Sequence, residues 1–439
     1  MPRAAKLAFL TVHLLLAVAV WRVFFPALMS ADSMAQFRQA WTGSYDNWHP
    51  PLMAVVLHGF FRLGRSIGAV TLLQCLGGMF GLRALILASL EALRPEVTPL
   101  RAEGIAVAVA LLLLTPLSPL PFYLAVFWKD TWAAVLMLWL CAAAFRLLGG
   151  EGRAGLQGAA LVVLAALLGM VRHNAIVVLP FAGLVLAASL KKGRKGLLAP
   201  LLLALPLLAS VAGEALLDRT FQVQDVHLER QMMAFDLVGV CALEARACEP
   251  FLRGRRERYV PGDLHRSLWA DPPPLEGDAL DGDRLESAYL DTAREHPLLL
   301  ARVKLESFAP LLGLEGAHII IYSQLDANEL GLQLNERFAG LRTWLAAATR
   351  GIAAHPVWRL ASGVHLVWIV ANVLWIALLR RRVALAFLLP LSFTASYLLA
   401  APAHDYRFLY PSTLALQGVT LAWLMALASS APWFSRNHS

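Results

Sequence analysis

The segment PALMSADSMAQFRQAWTGSYDNWHPP, residues 26–51, separates two apolar runs and carries a dense mixture of polar and aromatic side chains. A carboxylate, an amide, a guanidinium, an indole and an imidazole all fall within it, at Asp32, Gln36, Arg38, Trp48 and His49. One acidic residue next to a membrane helix is common, but this mixture at one membrane face indicates a site. The sequence therefore predicts a catalytic loop at residues 26–51.

The composition is that of a polytopic membrane protein. Of the 439 residues, 58% are hydrophobic and only 15% are charged, and the mean hydropathy is +0.60. Apolar runs near the length that spans a bilayer recur along the chain. The formal net charge of +8 comes from Lys and Arg in short connections between these runs, as the positive-inside rule describes. No basic stripe is interleaved with aromatic residues, which argues against nucleic acid as a partner.

The apolar runs predict an all-α fold with about ten transmembrane helices, of which those at 156–171 and 175–190 are barely long enough to cross a bilayer. Basic residues before the first run place the N-terminus in the cytoplasm and residues 26–51 outside, and the count returns the C-terminus to the cytoplasm. The short run at 52–63 predicts an interfacial or half-inserted helix. The predicted spans are 7–25, 66–90, 104–120, 131–148, 156–171, 175–190, 197–217, 357–379, 383–400 and 411–429.

Changes in composition divide the chain into three parts. Residues 1–217 form an N-terminal transmembrane module, residues 218–356 predict a mostly helical extracytoplasmic domain, and residues 357–439 form a C-terminal transmembrane module with the last three spans. Cys241 and Cys248, with six residues between them, lie in the polar part. If that part is outside the cytoplasm, a disulfide and two free thiols are both open, and the isolated pair does not predict a metal site.

Polar side chains gather at four places on the predicted outer face. These are Asp32 with Trp48 and His49, Lys129 with Asp130, Arg172, and the sequence HDYR at 404–407. An acid beside several permanent cations at headgroup depth suits a lipid-linked phosphosugar, because Arg and Lys hold the phosphate and a carboxylate deprotonates the attacking hydroxyl. Phosphate is a good leaving group, so the two carboxylates of a glycoside hydrolase are not required.

Structural interpretations compete with these assignments. Asp32 could cap a surface helix that begins near Ser33. His49, which precedes two prolines, could be a packing residue. Lys129–Asp130 could be a surface ion pair at a helix start, which contributes little free energy.

Arg172 and Arg407 differ in how readily a purely structural role explains them. Arg172 lies between two short apolar runs and must be paired with another group, because an unpaired charge at that depth is costly. Arg407 has Tyr406, Phe408 and Tyr410 around it, so an interfacial aromatic belt is the alternative to a phosphate site.

Short motifs at these places resemble the GT-C superfamily of membrane glycosyltransferases, in particular its uncharacterised bacterial branch. The motifs are Asp32, NWHPP at 47–51, FWKD at 127–130, VRHNA at 171–175 and DYRFLYP at 405–411. The resemblance implies an inverting hexosyl- or pentosyltransferase in the bacterial cytoplasmic membrane, with its active site facing the periplasm. The donor would be a polyprenyl-phosphate-linked sugar, and the acceptor an envelope lipid, glycan or protein.

The resemblance also implies roles for individual residues. Asp32 would be the catalytic base, and donor or acceptor would bind Trp48, His49, Lys129, Asp130, Arg172, His404, Tyr406 and Arg407. The two-acid pattern of the family is absent because Ser33 follows Asp32. No metal ligand is therefore assigned, and a divalent cation stays open as a cofactor.

Two other classes of function compete with glycosyl transfer. A transporter or flippase of a lipid-linked glycan would have charges at mid-membrane, broken helices and internal repeats, and the break at Arg172 is its best support. A non-catalytic protein of envelope assembly would use residues 218–356 as its working part and would tolerate substitution of Asp32.

Overall fold

The computed structural model is helical wherever it assigns regular structure. The residues it describes are 1–64, 66–150, 154–190, 195–248, 252, 256–269, 282–312, 319–328, 331–354, 370–372, 374–375, 378, 382–399, 401–403 and 405–429. Within these residues there is no β-strand, only isolated bridges, which confirms the all-α prediction.

The α-helices used below are numbered in chain order. They are α1 (Arg3–Phe24), α2 (Ala31–Thr42), α3 (Leu52–Arg62), α4 (Ile67–Leu93), α5 (Pro99–Leu113), α6 (Leu120–Ala125), α7 (Lys129–Gly149), α8 (Ala154–Val171), α9 (Leu179–Ser189), α10 (Lys195–Phe221), α11 (Leu228–Leu243), α12 (Leu264–Leu268), α13 (Gly282–Glu295), α14 (Pro297–Phe308), α15 (Ala339–Ala354), α16 (Leu388–Ser396) and α17 (Tyr410–Ala428). Short 3-10 helices at His173–Val178, Arg382–Phe387 and Tyr406–Phe408 precede α9, α16 and α17.

Six helices among the described residues are long and apolar enough to cross a membrane, namely α1, α4, α7, α8, α17 and the part of α10 over Leu198–Phe221. Three shorter apolar segments, Leu52–Arg62, His173–Ser189 and Arg382–Ser396, lie where the sequence predicts a half-inserted helix or a span. The predicted span at 357–379 falls almost entirely outside the described residues.

The third predicted span has different boundaries from those expected. α5 covers Pro99–Leu113 instead of 104–120. Pro116 and Pro119 cause the early end, because proline lacks the N–H donor that a helix interior needs. The chain then turns into the short helix α6 and reaches the start of α7, where polar residues of the site begin.

Small residues let the membrane helices approach each other closely. At Gly78 of α4, a Cβ would lie 2.3 Å from Cδ2 of Leu124, a side chain that can move. At Gly183 of α9, a Cβ would lie 2.4 Å from the carbonyl oxygen of Leu203 in α10 and 2.6 Å from its Cα. Close backbone contact of this kind gains van der Waals energy between helices in lipid.

The central polar segment has a hydrophobic core of its own. Phe235 of α11, Leu268 of α12 and Leu285 of α13 are among its buried residues. A disulfide joins Cys241 to Cys248 at the end of α11. α11, α12 and α13 therefore form a small central helical unit with its own core, whereas Leu311, Ile321 and Ala346 of the same segment belong to the main core.

The contact between α9 and α10 generates a stability prediction. Gly183→Ala should lower the free energy of unfolding by about 1–3 kcal/mol, because the methyl group meets fixed backbone atoms and must separate the helices. The matched control is Gly104→Ala on the exposed side of α5, where nothing lies within 4 Å, and it should be neutral or stabilising by up to about 1 kcal/mol. Thermal unfolding in detergent measures both; equal midpoints would contradict the close contact.

Candidate functional site

Asp32 lies on the first turn of α2 and does not cap that helix. The backbone N–H of Ser30 donates to Ser33 Oγ at 3.1 Å, and the Trp128 indole N–H donates to Ser30 Oγ at 2.7 Å. Ser30 and Ser33 therefore begin the helix, and the capping interpretation of Asp32 is wrong. The Asp32 side chain remains 36% exposed, more than any other carboxylate in the ion pairs of this site.

Arg407, which is distant from Asp32 in the sequence, contacts it in the folded chain. Its Nη1 lies 2.8 Å from Asp32 Oδ2, and its Nε lies 2.9 Å from Asp405 Oδ2. The Asp405 carboxylate also accepts the backbone N–H of Arg407 at 3.0 Å, which shapes the turn at Tyr406–Phe408. The guanidinium carbon is 4.9 Å from the centre of the Trp128 ring, close enough for a cation–π contact.

Arg172 lies at the break between α8 and the following 3-10 helix, and it is paired, as the sequence requires. Its Nη2 lies 2.5 Å from Asp130 Oδ1 and donates to the Tyr397 hydroxyl at 2.6 Å. The guanidinium also lies over the Phe408 ring, 5.0 Å from its centre. Asp130 is buried and bonded to Arg172, so the interpretation of Lys129 and Asp130 as a surface ion pair is wrong.

Lys129 contacts His49 instead of its sequence neighbour. Its Nζ lies 3.0 Å from His49 Nδ1, and His49 Nε2 lies 3.9 Å from Asp32 Oδ1. Burial, with the positive charge of Lys129, lowers the pKa of His49 to about 3, so the imidazole is neutral at neutral pH. When Lys129 is charged, its ammonium group donates to Nδ1, and the His49 ring proton is then on Nε2, the nitrogen nearer Asp32.

Asp32 and Asp405 have opposite pKa shifts. Burial favours a higher pKa at Asp32, but the positive charges of Arg407 and Lys129 outweigh it and hold the pKa below its ordinary value. Asp405 is more deeply buried, and burial raises its pKa to about 6 although Arg407 opposes the shift. Asp32 is therefore ionised at neutral pH, with Arg407 shared between the two carboxylates.

Several of the predicted site residues face one cavity of about 280 Å³. Six of the predicted site residues line it, namely Asp32, Trp48, His49, Lys129, Arg172 and Arg407. Leu228 and Met232 of α11 and Leu264 of α12 supply another wall. The backbone N–H of Leu264 donates to the carbonyl of Pro402 at 3.0 Å, which ties this wall to the loop before Arg407. Residues from all three parts of the chain therefore form one site.

Two of the predicted residues are not brought to the cavity. Tyr406 is buried and packs against Tyr123 and Tyr410, with ring centres 5.9 and 6.0 Å away. Asp130 lies behind Arg172 and supports it. His404 lies outside the described residues.

The sequence analysis assigned no role in the site to several residues that contribute to it. Tyr397 and Phe408 form the aromatic surface against Arg172, and Asp405 holds Arg407 from behind. The aromatic residues next to Arg407 were a detectable signal for Phe408. Nothing in the local sequence indicates that Met232, 200 residues after Asp32, lines the same cavity.

The donor set of the cavity does not suit a divalent cation. Asp32, Asp130 and Asp405 are each within 3 Å of an arginine nitrogen, and a metal would have to compete with these permanent charges. In the described residues, one group of metal-ligand side chains lies close together, Asp225, His227 and Glu229, and none of these three lines the cavity. The carboxylates of this site are therefore partners of its arginines.

Comparison of the chain with protein-family models, with curated proteins and with solved structures finds no match. The functional assignment consequently depends on the geometry of this cavity and the chemistry of its side chains.

The raised pKa of Asp405 predicts pH-dependent anion binding. As the pH falls from 7.5 to 5, Asp405 gains a proton and Arg407 loses a competing negative charge, while Asp32 stays ionised and His49 neutral. Affinity for a short dialkyl phosphate, whose own charge is constant over this range, should rise on the order of fivefold. Calorimetric titration of the protein in lipid nanodiscs measures this.

The matched variants are Asp405→Asn and Asp291→Asn. Asp405→Asn should bind the phosphodiester more tightly at pH 7.5 and show a flatter pH profile, which separates Asp405 from ionisable groups that line the cavity, such as Lys129. Asp291→Asn, an exposed carboxylate on α13, should follow the wild type. An identical profile in all three proteins would refute the assignment to Asp405.

Proposed function

We propose that this protein is an inverting glycosyltransferase that moves a sugar from a polyprenyl-phosphate donor to an envelope acceptor at the periplasmic face of the bacterial cytoplasmic membrane. One observation carries the proposal: among the described residues that line the cavity, one partly exposed carboxylate, Asp32, lies with the cationic side chains of Lys129, Arg172 and Arg407. Three cations fit a phosphate, and the carboxylate fits the proton of an attacking hydroxyl.

The reaction divides these groups into two roles. Arg407, Arg172 and Lys129 hold the donor phosphate and stabilise the charge that it gains as the bond from the sugar carbon to the phosphate oxygen breaks. Asp32 accepts the proton of the acceptor hydroxyl while the new bond from that oxygen to the sugar carbon forms. Attack opposite the departing phosphate inverts the sugar carbon. Asp405 and Asp130 keep two of the cations in place.

Donor binding would also change the strength of the base. In the free protein, Arg407 contacts Asp32 at 2.8 Å and contributes to its low pKa. A phosphate that takes contacts from Arg407 and Lys129 weakens this attraction and adds a negative charge nearby, and both effects raise the pKa of a carboxylate. Asp32 becomes a better base only when the donor is present, which disfavours proton transfer to an empty site.

We further propose the ten-span topology, with both termini in the cytoplasm. Two of the shorter apolar segments, His173–Ser189 and Arg382–Ser396, match predicted spans and add to the six long helices. The disulfide between Cys241 and Cys248 supports an extracytoplasmic position of the central helical unit, because disulfides persist in oxidising compartments. The cavity, whose wall includes α11 and α12, then opens on the same side.

Substitution of Asp32 tests the function. Purified protein in detergent is given radiolabelled polyprenyl-phosphate sugars and a membrane lipid extract as acceptor. Asp32→Asn should reduce transfer by roughly 10²–10⁴-fold, the range expected for loss of a general base, and Asp291→Asn should retain full activity. Equal thermal unfolding midpoints for the three proteins show that the loss is chemical.

Other outcomes separate the alternatives. Equal transfer by wild type and Asp32→Asn would remove Asp32 from the mechanism. Transmembrane movement of the intact donor in vesicles, without sugar transfer, would indicate a transporter or flippase. Absence of both donor binding and transfer for every sugar tried would favour an assembly protein.

A further inference from the structure

A second cavity, of about 520 Å³, lies against the first. It is enclosed by α11, α13 and α14 on one side and by the segment after Arg172 and the end of α16 on the other. The two cavities share four lining residues, His173, Asn174, Leu228 and Met232. A ligand seated in the second cavity can therefore extend past this shared boundary to Asp32.

The two cavities have opposite electrostatic character. Among the described residues, the first is lined by Lys129, two arginines and the carboxylate of Asp32. In the described lining of the second, the carboxylates of Asp236 and Glu229 face the ammonium group of Lys304, whose Nζ lies 2.5 Å from Asp236 Oδ2. A phosphate would be repelled from the second cavity, so an anionic donor is directed to the first and an uncharged ligand is favoured in the second.

The polar side chains of the second cavity suit hydroxyl groups. Carboxylate, amide, phenol and ammonium groups occur there, at Asp236, Glu229, Asn47, Asn174, Tyr289 and Lys304. The hydroxyl of Tyr289 is 3.4 Å from Asp236, a long contact that leaves capacity for a shorter one. Such groups bind the donors and acceptors of a sugar without a charge on the ligand.

One rim of the second cavity is apolar and exposed. Ile176 and Leu399 line it, with 50% and 61% of their surface exposed. Ile176 belongs to the apolar segment His173–Ser189, so this rim continues into the membrane-facing surface. Met232 and Met233 extend the apolar lining inward. A ligand that enters here carries an apolar chain.

We propose that the second cavity is the acceptor site and that the acceptor is an uncharged, hydroxyl-rich glycan headgroup on a lipid. This inference builds on the proposed function and specifies its acceptor class. The glycan lies among Asp236, Tyr289 and Lys304, and its lipid chain leaves past Ile176 and Leu399. The reacting hydroxyl passes Met232 toward Asp32, where the proton leaves it.

Binding measurements with two probes test the proposal separately from transfer. The first probe is an alkyl maltoside with a diazirine in its chain, photo-crosslinked to the full-length protein in nanodiscs and read by mass spectrometry at Ile176 and Leu399. The second is the dialkyl phosphate, measured by calorimetry. Met233→Trp, which fills only the second cavity, should reduce maltoside crosslinking at least fivefold and leave phosphodiester binding unchanged. Arg407→Gln should do the reverse.

A charge-reversed variant guards against misfolding of Met233→Trp. Glu229 is exposed on the rim, so Glu229→Lys is expected to fold normally. It should allow crosslinking of an alkyl glucuronide, which the wild type excludes by repulsion. Maltoside crosslinking that is absent from the wild type or unchanged in Met233→Trp, or a Glu229→Lys protein that gains no glucuronide crosslinking, would overturn the assignment.

The source of the glycan is distinguished by competition. Octyl maltoside should compete with the photoprobe at least tenfold better than free maltose, because its chain occupies the apolar rim. Equal competition by maltose would overturn the lipid-linked acceptor in favour of a soluble glycan. If Asp32→Asn transfers sugar normally while Met233→Trp still weakens only maltoside crosslinking and Arg407→Gln only phosphodiester binding, the proposed function fails and the second binding site stands.

Discussion

The need to pair charges at the ends of apolar helices controls the arrangement of this molecule. Arg172 sits where two apolar helical segments meet, and an unpaired guanidinium there would cost several kcal/mol. Its partners are Asp130 at the start of α7 and Tyr397 after α16, so one side chain fixes three segments relative to each other. Arg407 does the same for α2 and the turn before α17. The helix ends converge because their buried charges need partners from other segments.

The same pairing produces three carboxylates with different properties. Asp130 and Asp405 have only 4% and 7% of their side-chain surface exposed, and both lie behind arginines. Asp32 is 36% exposed and lies on the open side of Arg407. Burial therefore separates the two supporting carboxylates from the one that a ligand in the cavity can reach. Residue type alone makes no such distinction.

The central helical unit, α11 to α13, is both an independent packing unit and a wall of the two cavities. It has its own core and disulfide, yet Leu228 and Met232 of α11 form the boundary between the cationic cavity and the larger one beside it. A division of the chain at 218 and 356 describes the composition well, but the cavity takes residues from both sides of each division. Composition follows the environment of each segment, whereas a binding site forms wherever packed segments meet.

The sequence by itself determined the helical class, the position of most apolar helices and the four polar places at their ends. Apolar length and the positions of proline and charge are local properties, so Arg172 and Asp32 could be singled out directly. The tertiary structure alone decided the partners: Asp130 bonds Arg172, Lys129 faces His49, and Tyr406 is buried although the adjacent Arg407 faces the cavity. Adjacent residues in a helix or turn point in different directions, and only the packing of distant segments decides which direction meets a partner.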